Sequence, residues 1–296
     1  MQRRDFLKGA AALGLAGSLF PVGWTAAADT KKPQKVLYFT RNCGYYHSVV
    51  QRTGDALSHS EKALVKMGKQ VGIEVTCSND GRIFDEDISR FDAFAFYCNN
   101  DLTEENGISP PMSQDGKKKF MDAVAAGKGF IGFHSSCACW RTDAPQFENS
   151  EPDKLDPFIK MIGAEFVKHG PQQVATMKIV SPLFPGMKGL GDSFSMKEEW
   201  YAMKNFAPDM HVIMVQETEG MEGDCYQRPP FPSTWARMQG EGRVYFTSMA
   251  HLETVWDTNP FQQIVLGGMA WALKNVDADI PANIKEVTPG AMTIKS

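Results

Sequence analysis

Three of the six histidines in the chain follow apolar segments that have the pattern of buried β-strands. They are His47, His134 and His251, and His134 follows its segment directly. Imidazole titrates near neutral pH and is the commonest protein ligand for metal ions. Three such ligands with a water molecule make a catalytic zinc site, and without a metal two of them could exchange protons with a substrate. The histidines therefore predict a metal centre or an acid–base pair, if the fold brings them together.

Other side chains could complete such a site. Glu198 and Glu199 could add a carboxylate ligand or a general base, and His169, in a predicted loop, could line the same cleft. Each single histidine also has a structural interpretation, in which it caps a helix or bonds a loop carbonyl. We assign only that interpretation to His59 and His211, which fall in a polar helix and at the start of a strand.

The elements that must position these residues alternate between strands and helices. Apolar runs predict five strands, at residues 35–40, 73–77, 91–97, 129–133 and 242–247. Further strands are predicted at residues 174–180, 211–216 and 235–238, and helices at residues 48–71, 117–126 and 261–274. This alternation predicts a doubly wound α/β fold with a mainly parallel sheet. Ligands bind such sheets outside the carboxyl ends of the strands, where the three histidines would converge.

The N-terminus has the pattern of an export signal. Arg3 and Arg4 precede an apolar run over residues 9–20, and small residues at 26–28 resemble a cleavage site. The RRxFLK string is similar to a twin-arginine signal. We expect export to the periplasm or the medium after removal of residues 1–28, which would change the net charge from -4 to -6 through loss of three basic residues and one acidic residue.

Composition excludes several classes of protein. The chain has 296 residues, 43% of them hydrophobic, so one large α/β domain is expected, over residues 34–277, followed by an extended tail at 278–296. No later segment has the roughly 20 apolar residues of a membrane helix. The acidic charge argues against nucleic acid as a partner. No glycine-rich fingerprint follows a strand into a helix, so we expect no nucleotide cofactor.

Several strings resemble, in order, those of the ThuA-like family, which is named for trehalose utilisation. The strings span about residues 34–275 and are YYH at 45–47, GKGFIGFH at 127–134, FVKH at 166–169, EEWY at 198–201, PSTW at 232–235 and GEGRVYFTSMAH at 240–251. The resemblance implies a flavodoxin-like sheet of the class I glutamine amidotransferase type. It also implies a cleft lined by His47, His134, Glu199 and His251, with His169 and Tyr201 as near neighbours.

The amidotransferase reaction itself is not expected. Those enzymes place a nucleophilic cysteine on the sharp turn after a central strand, and here that position is His134. Cys137, Cys139 and Ser135 remain as substitute nucleophiles, although Cys137 and Cys139 could equally be buried small residues or form a disulfide.

The family is associated with sugar metabolism, including disaccharides oxidised to keto forms. We therefore expect an enzyme that hydrolyses, cleaves or isomerises a glycoside or keto-sugar. His134, His251 and Glu199 would be catalytic, and these three with His47 would bind a divalent metal, zinc being favoured. Tyr46, His169, Tyr201 and Trp235 would contact the saccharide, because aromatic faces pack against sugar rings. The alternatives are a carbohydrate-binding or cell-envelope protein without activity and a cysteine-dependent amide hydrolase. A homo-oligomer is compatible with each of these functions.

Overall fold

The computed structural model describes residues 32–105 and 108–294. The signal predicted for residues 1–28 lies outside the described residues, as does the end of the C-terminal tail. Within the described ranges, no helix is long and apolar enough to cross a membrane.

One half of the main sheet is parallel. Its five strands run in the order β2-β1-β3-β4-β11, and every pair between neighbours in this order is parallel. The strands are β1 (Gln34–Phe39), β2 (Ile73–Ser78), β3 (Ala93–Phe96), β4 (Gly129–Phe133) and β11 (Gly242–Thr247). The chain moves outward from β1 to β2 and then in the opposite direction from β3 to β4. With right-handed crossovers this places the connecting helices on opposite faces. The predicted doubly wound α/β fold is confirmed.

The other half of the sheet is antiparallel. Four strands continue from β11 in the order β10-β9-β6-β7, and a separate two-stranded sheet joins β5 to β8. These strands are β5 (Glu165–His169), β6 (Gln173–Ile179), β7 (Ser193–Glu198), β8 (Tyr201–Lys204), β9 (His211–Gln216) and β10 (Phe231–Gln239). The sequence pattern identified β6, β9 and β10 but not β5, β7 or β8. His169, expected in a loop, is the last residue of β5.

Six α-helices complete the described fold. They are α1 (His59–Gln70), α2 (Gln114–Ala125), α3 (Pro157–Ile162), α4 (Glu253–Trp256), α5 (Asn259–Ala272) and α6 (Ile284–Val287). The continuous helix predicted from residue 48 is wrong. Only Ser48–Val50 form a short 3-10 turn there, and Gly54 then adopts a left-handed φ of 57°. Helix α1 starts later because Ser58 and Glu61 form a capping box.

The C-terminal tail contains structure that the sequence pattern did not predict. Helix α6 contacts β9, and Asn283 Oδ1 accepts a hydrogen bond from the backbone N–H of Val212 at 2.6 Å. The carbonyl of Ala291 accepts a hydrogen bond from the buried Arg228 guanidinium. The tail therefore packs against the antiparallel half instead of extending from the domain.

Candidate functional site

The three histidines that follow parallel strands meet at the carboxyl edge of the sheet. His47, His134, His251 and Glu199 each offer a ligand atom, and these four atoms all lie within 4.8 Å of one another. We call these four residues the His/Glu cluster. All four are buried, and their side chains could hold a metal ion. The order of the strands thus brings together three histidines that are far apart in the sequence.

Glu199 joins the histidines from the antiparallel half, between β7 and β8. Its Oε2 lies 3.2 Å from His251 Nδ1, 3.6 Å from His134 Nε2 and 4.0 Å from His47 Nε2. Its other oxygen, Oε1, lies 3.6 Å from Nδ1 of His169. One carboxylate oxygen therefore belongs to the cluster, and the second faces the half-exposed His169.

His134 is held at a sharp turn immediately after β4. Its φ is 40°, in the left-handed region that residues with a Cβ rarely adopt. Its Nδ1 lies 2.8 Å from the carbonyl oxygen of Ser248, so Nδ1–H donates that hydrogen bond. This bond fixes the tautomer in which the Nε2 lone pair faces the other members of the cluster.

His251 is held by a buried carboxylate that does not itself face the cluster. Glu198 Oε1 accepts hydrogen bonds from the backbone N–H groups of Ala250 at 2.7 Å and His251 at 2.9 Å. Ala250 has a left-handed φ of 113°, and its carbonyl accepts a hydrogen bond from Trp256 Nε1 at 2.9 Å. Both ends of this strained backbone are therefore bonded, which keeps His251 in place.

The side chain of Gln172 supports the far side of His251. Its amide nitrogen lies 3.0 Å from His251 Nε2. Rotation of this amide by about 180° would present its oxygen to Nε2–H instead. His251 would then have a free Nδ1 lone pair towards Glu199, the form that a metal ligand requires.

The environment separates the protonation states of the histidines. Burial lowers the pKa of His47 to about 2, and it also lowers the pKa of His134. Burial acts to lower the pKa of His251 too, but the hydrogen bond and charge of Glu199 outweigh it and raise that pKa. Although burial opposes its ionisation, the contacts with the imidazoles of His134 and His251 hold the pKa of Glu199 well below its usual value. At neutral pH, His47 and His134 are neutral and Glu199 is ionised.

A cavity of about 320 Å³ opens beside the cluster. His47 and Glu199 form part of its wall, and Tyr201 and His169 of the predicted substrate-binding set also line it. Tyr201 donates or accepts a hydrogen bond of 3.2 Å with His47 Nε2, and its ring stacks against the His169 ring. The remaining lining residues are Tyr45, Asn99, Asn100, Ala138, Arg141 and Phe166.

Two predicted substrate-binding residues do not line this cavity. Trp235 is fully buried, where Nε1 donates a hydrogen bond to the carbonyl of Ile162 and the indole stacks on Phe246. Tyr46 is half-buried, and the preceding residue, Tyr45, reaches the cavity in its place. The strings PSTW and YYH do not indicate which aromatic ring lines the cavity.

The loop before His47 packs closely against the loop after β3. A Cβ atom on Gly44 would lie 2.0 Å from Asn100 Nδ2, which donates a hydrogen bond to the carbonyl of Cys43. A larger residue at position 44 would displace the Asn100 side chain from this hydrogen bond. Asn99 adds hydrogen bonds to both sides of the same loop, through the N–H of Cys43 and the carbonyl of Tyr45.

Sequence reasoning missed the supporting residues Glu198 as a backbone anchor, Gln172 and the Ser248 carbonyl. Only Glu198 had a usable signal. Residues 193–198 alternate between small or charged residues and Phe194, Met196 and Glu198, so a strand there puts Glu198 on the same face as the two apolar residues. A buried carboxylate on such a face needs hydrogen-bond donors nearby.

The family comparison covers most of the chain. The sequence model of the family described as ThuA, trehalose utilisation, matches residues 35–272. The chain belongs to the ThuA family. A twin-arginine signal sequence matches residues 1–20, so this ThuA protein is exported by the twin-arginine pathway.

Solved structures agree with the ThuA fold. A ThuA-like protein from Bacteroides uniformis is 16% identical, with a TM-score of 0.57, over 83% of this chain and 94% of its own. One from Parabacteroides merdae is 18% identical, with a TM-score of 0.56, over 89% of this chain and 97% of its own. At this identity the likeness shows the fold alone. No curated protein matches the chain.

Proposed function

We propose that this exported ThuA protein is an enzyme that processes a glycoside or keto-sugar at a divalent metal site formed by the His/Glu cluster. The observation that carries the proposal is the convergence of three buried imidazoles and one ionised carboxylate beside a cavity. Four ligand atoms about 2.0–2.1 Å from a tetrahedral zinc ion lie about 3.3 Å from one another. Four of the six separations within the cluster are 3.2, 3.3, 3.6 and 4.0 Å, and all six are within 4.8 Å, so the ligand atoms would move slightly closer together around an ion.

The chemistry of the donor set also fits a metal. Metal ligands must be deprotonated, and His47, His134 and Glu199 have pKa values lowered in the direction that keeps them so. The Ser248 carbonyl orients His134 as the second shell of a metal site does. A divalent ion bound there would polarise a carbonyl or activate a water molecule.

The chain's own residues have separable tasks around that centre. Glu198 is a positioning residue, because it holds the backbone of His251 and does not reach the cavity. Tyr201 and His169 line the cavity and could hold the hydroxyl groups of a sugar. His169 Nδ1 lies 2.9 Å from the carbonyl oxygen of Gly170 and 3.6 Å from Glu199 Oε1, which places its ring at the edge of the cavity beside that carboxylate.

A second mechanism uses the same residues without a metal. The pKa of His134 is lowered by burial and that of His251 is raised by Glu199, although burial opposes the second shift. Two titratable groups whose environments push their pKa values apart form a natural acid–base pair. His134 would then be the base and His251 the acid.

The remaining alternatives fit less well. Cys137 and Cys139 are buried, and burial raises the pKa of both thiols, which disfavours the thiolate that amide hydrolysis needs. A carbohydrate-binding protein would use the cavity but gives no reason for three converging histidines. Saccharide binding without turnover is the result that would favour this alternative.

Turnover by protein lacking residues 1–28 tests the proposal. Neutral glycosides and their 3-keto derivatives would be incubated with wild-type protein, His134→Ala and His59→Ala. His59 is a matched control, because it is half-exposed and pairs with Asp257 outside the cluster. We expect product from wild type and His59→Ala, and loss of turnover in His134→Ala. Full turnover by His134→Ala would contradict the proposal, as would saccharide binding without any product.

A further inference from the structure

The cavity beside the cluster has one charged side chain without a partner. Glu199 is matched by the histidines around it, but Arg141 makes no hydrogen bond or ion pair with any residue that the structure describes. Its side chain is exposed, and its guanidinium carbon lies 5.7 Å from the centre of the Phe166 ring. A guanidinium group with free donors matches the two oxygens of a carboxylate.

The backbone that carries Arg141 is firmly held on both sides. Trp140 Nε1 donates a 2.8 Å hydrogen bond to Asp101 Oδ1, and the Trp140 backbone has a left-handed φ of 48°. The backbone N–H of Thr142 donates to the buried Glu165 carboxylate at 3.2 Å, and the Thr142 hydroxyl donates to the same group. The fold therefore fixes the point from which Arg141 projects while leaving its charge unpaired.

The rest of the wall suits a single sugar ring. Tyr45 is 68% exposed, and its ring stands edge-on to His47 at 4.8 Å. Phe166 and Tyr201 add a second aromatic surface, with ring centres 4.2 Å apart. Aromatic side chains supply apolar surface for the C–H faces of a ring, and 320 Å³ is near the lower end of the roughly 300–1,000 Å³ of ligand pockets.

A divalent ion would make the charge balance of the cavity favour an anion. The charged side chains that line the cavity are Arg141 and Glu199, whose formal charges cancel, and Glu199 contacts the imidazoles of the cluster. A divalent ion in the cluster would make the cavity positive, although the whole chain has a net charge of -4. An anionic ligand would thus meet a local positive field within an acidic protein.

We propose that the ligand of this site is a sugar acid, with Arg141 as the specificity-determining residue that binds its carboxylate. The inference rests on the proposed function for its assignment of the ligand to the sugars. The ring would lie against Tyr45 and Phe166, with its reacting carbon towards the His/Glu cluster. Neutral sugars would leave the Arg141 donors unpaired with the ligand and would bind more weakly.

Calorimetric titration of two glycosides tests the proposal. Methyl β-D-glucuronide and methyl β-D-glucoside share the same ring and differ in the carboxylate. Both would be titrated into zinc-loaded and metal-free protein lacking residues 1–28. We expect the glucuronide to bind at least about tenfold more tightly, as a charge-assisted hydrogen bond allows. In Arg141→Gln the ratio of the two affinities should fall to near one.

Arg90→Gln is the matched control. Arg90 is also an exposed arginine over a phenylalanine ring, 4.9 Å from the centre of Phe91, but it does not line the cavity. This variant should keep the wild-type preference. Equal affinities in wild type, a preference that survives in Arg141→Gln, or binding of neither glycoside would each overturn the proposal. Tighter, Arg141-dependent binding of glucose 6-phosphate would also overturn it in favour of a sugar phosphate.

The two proposals can fail separately. Turnover of neutral glycosides without preference for the glucuronide would leave the proposed function intact and remove the role of Arg141. An Arg141-dependent preference for the glucuronide in a protein that neither binds zinc nor forms product would do the reverse. The metal-free titrations make the second outcome measurable.

Discussion

The parallel half of the main sheet and the antiparallel strands outside it contribute different parts of the site. The parallel half supplies the three imidazoles, after β1, β4 and β11, and the region containing β5, β7 and β8 supplies Glu199, Tyr201 and His169. The parallel half thus brings ligands together by strand order, as in other open α/β sheets. The antiparallel additions bring the charge that partners those ligands and the wall that a substrate would touch.

This comparison predicts that zinc binding needs both halves. Glu199→Gln removes the ionised oxygen nearest to all three histidines, so zinc affinity should fall by more than the roughly 10–100-fold typical of second-shell changes. Competition with a fluorescent chelator measures this loss. Glu219→Gln is the control, because Glu219 is exposed and outside the cluster. Wild-type affinity in Glu199→Gln would show that the parallel half is sufficient alone.

Glu198→Gln should have the next largest effect. A glutamine can keep one acceptor oxygen, but its NH₂ group would replace Glu198 Oε2, which accepts a hydrogen bond from the N–H of Glu199. We expect zinc affinity to fall by about 10–100-fold, since Glu198 acts through the backbone of His251. The same chelator competition gives the value, with urea unfolding as a check of stability. A fall as large as that of Glu199→Gln would mean that Glu198 is itself a ligand.

Zinc affinity should fall at low pH because one proton binds to His251 in competition with the metal. The pKa of His251 is raised by Glu199 despite its burial, so this imidazole gains a proton first as the pH falls. His47 and His134 have lowered pKa values and stay neutral. Below the pKa of His251, affinity should therefore fall by about tenfold per pH unit. Titrations at successive pH values give the slope, and a pH-independent affinity over that range contradicts the assignment.

Trp235→Phe should have the smallest effect on the site. The change leaves the buried carbonyl of Ile162 without the indole donor, which costs about 1–3 kcal/mol of the free energy of unfolding. Zinc affinity should not change, because Trp235 is not part of the cluster or the cavity wall. Urea unfolding and chelator competition on the same preparation separate the two effects. A loss of zinc affinity with unchanged stability would place Trp235 in the site.

The same contrast explains what could be read from the sequence. Strands β1, β4 and β11 are mostly apolar and mostly buried, which is the pattern of strands covered on both faces, so their ends and the histidines beyond them are predictable. Strand β7 is half-exposed, and β5 and β8 are short, so neither their pairing nor the cavity they wall was apparent.

Side-chain orientation was the other limit. The sequence pattern does not distinguish Glu198 from Glu199 as the carboxylate of the cluster, and only the family resemblance favours Glu199. The structure distinguishes them, because Glu198 anchors the backbone of Ala250 and His251 whereas Glu199 faces the histidines. Tyr46 and Trp235 are expected to contact the saccharide because of their aromatic faces, which does not show where either ring points. Which side of a loop or strand a ring occupies depends on packing between distant segments, such as Trp235 on Phe246.

Elemental analysis of the protein lacking residues 1–28 tests whether the His/Glu cluster binds a metal ion. Wild type and His134→Ala would be purified without added metal, dialysed, loaded with excess zinc and dialysed again before metal and protein are quantified. We expect about one tightly held divalent ion per chain in wild type and almost none in His134→Ala, whose missing imidazole leaves three of the four ligands. Wild-type protein that holds no metal after loading, or equal metal content in both proteins, would contradict this expectation.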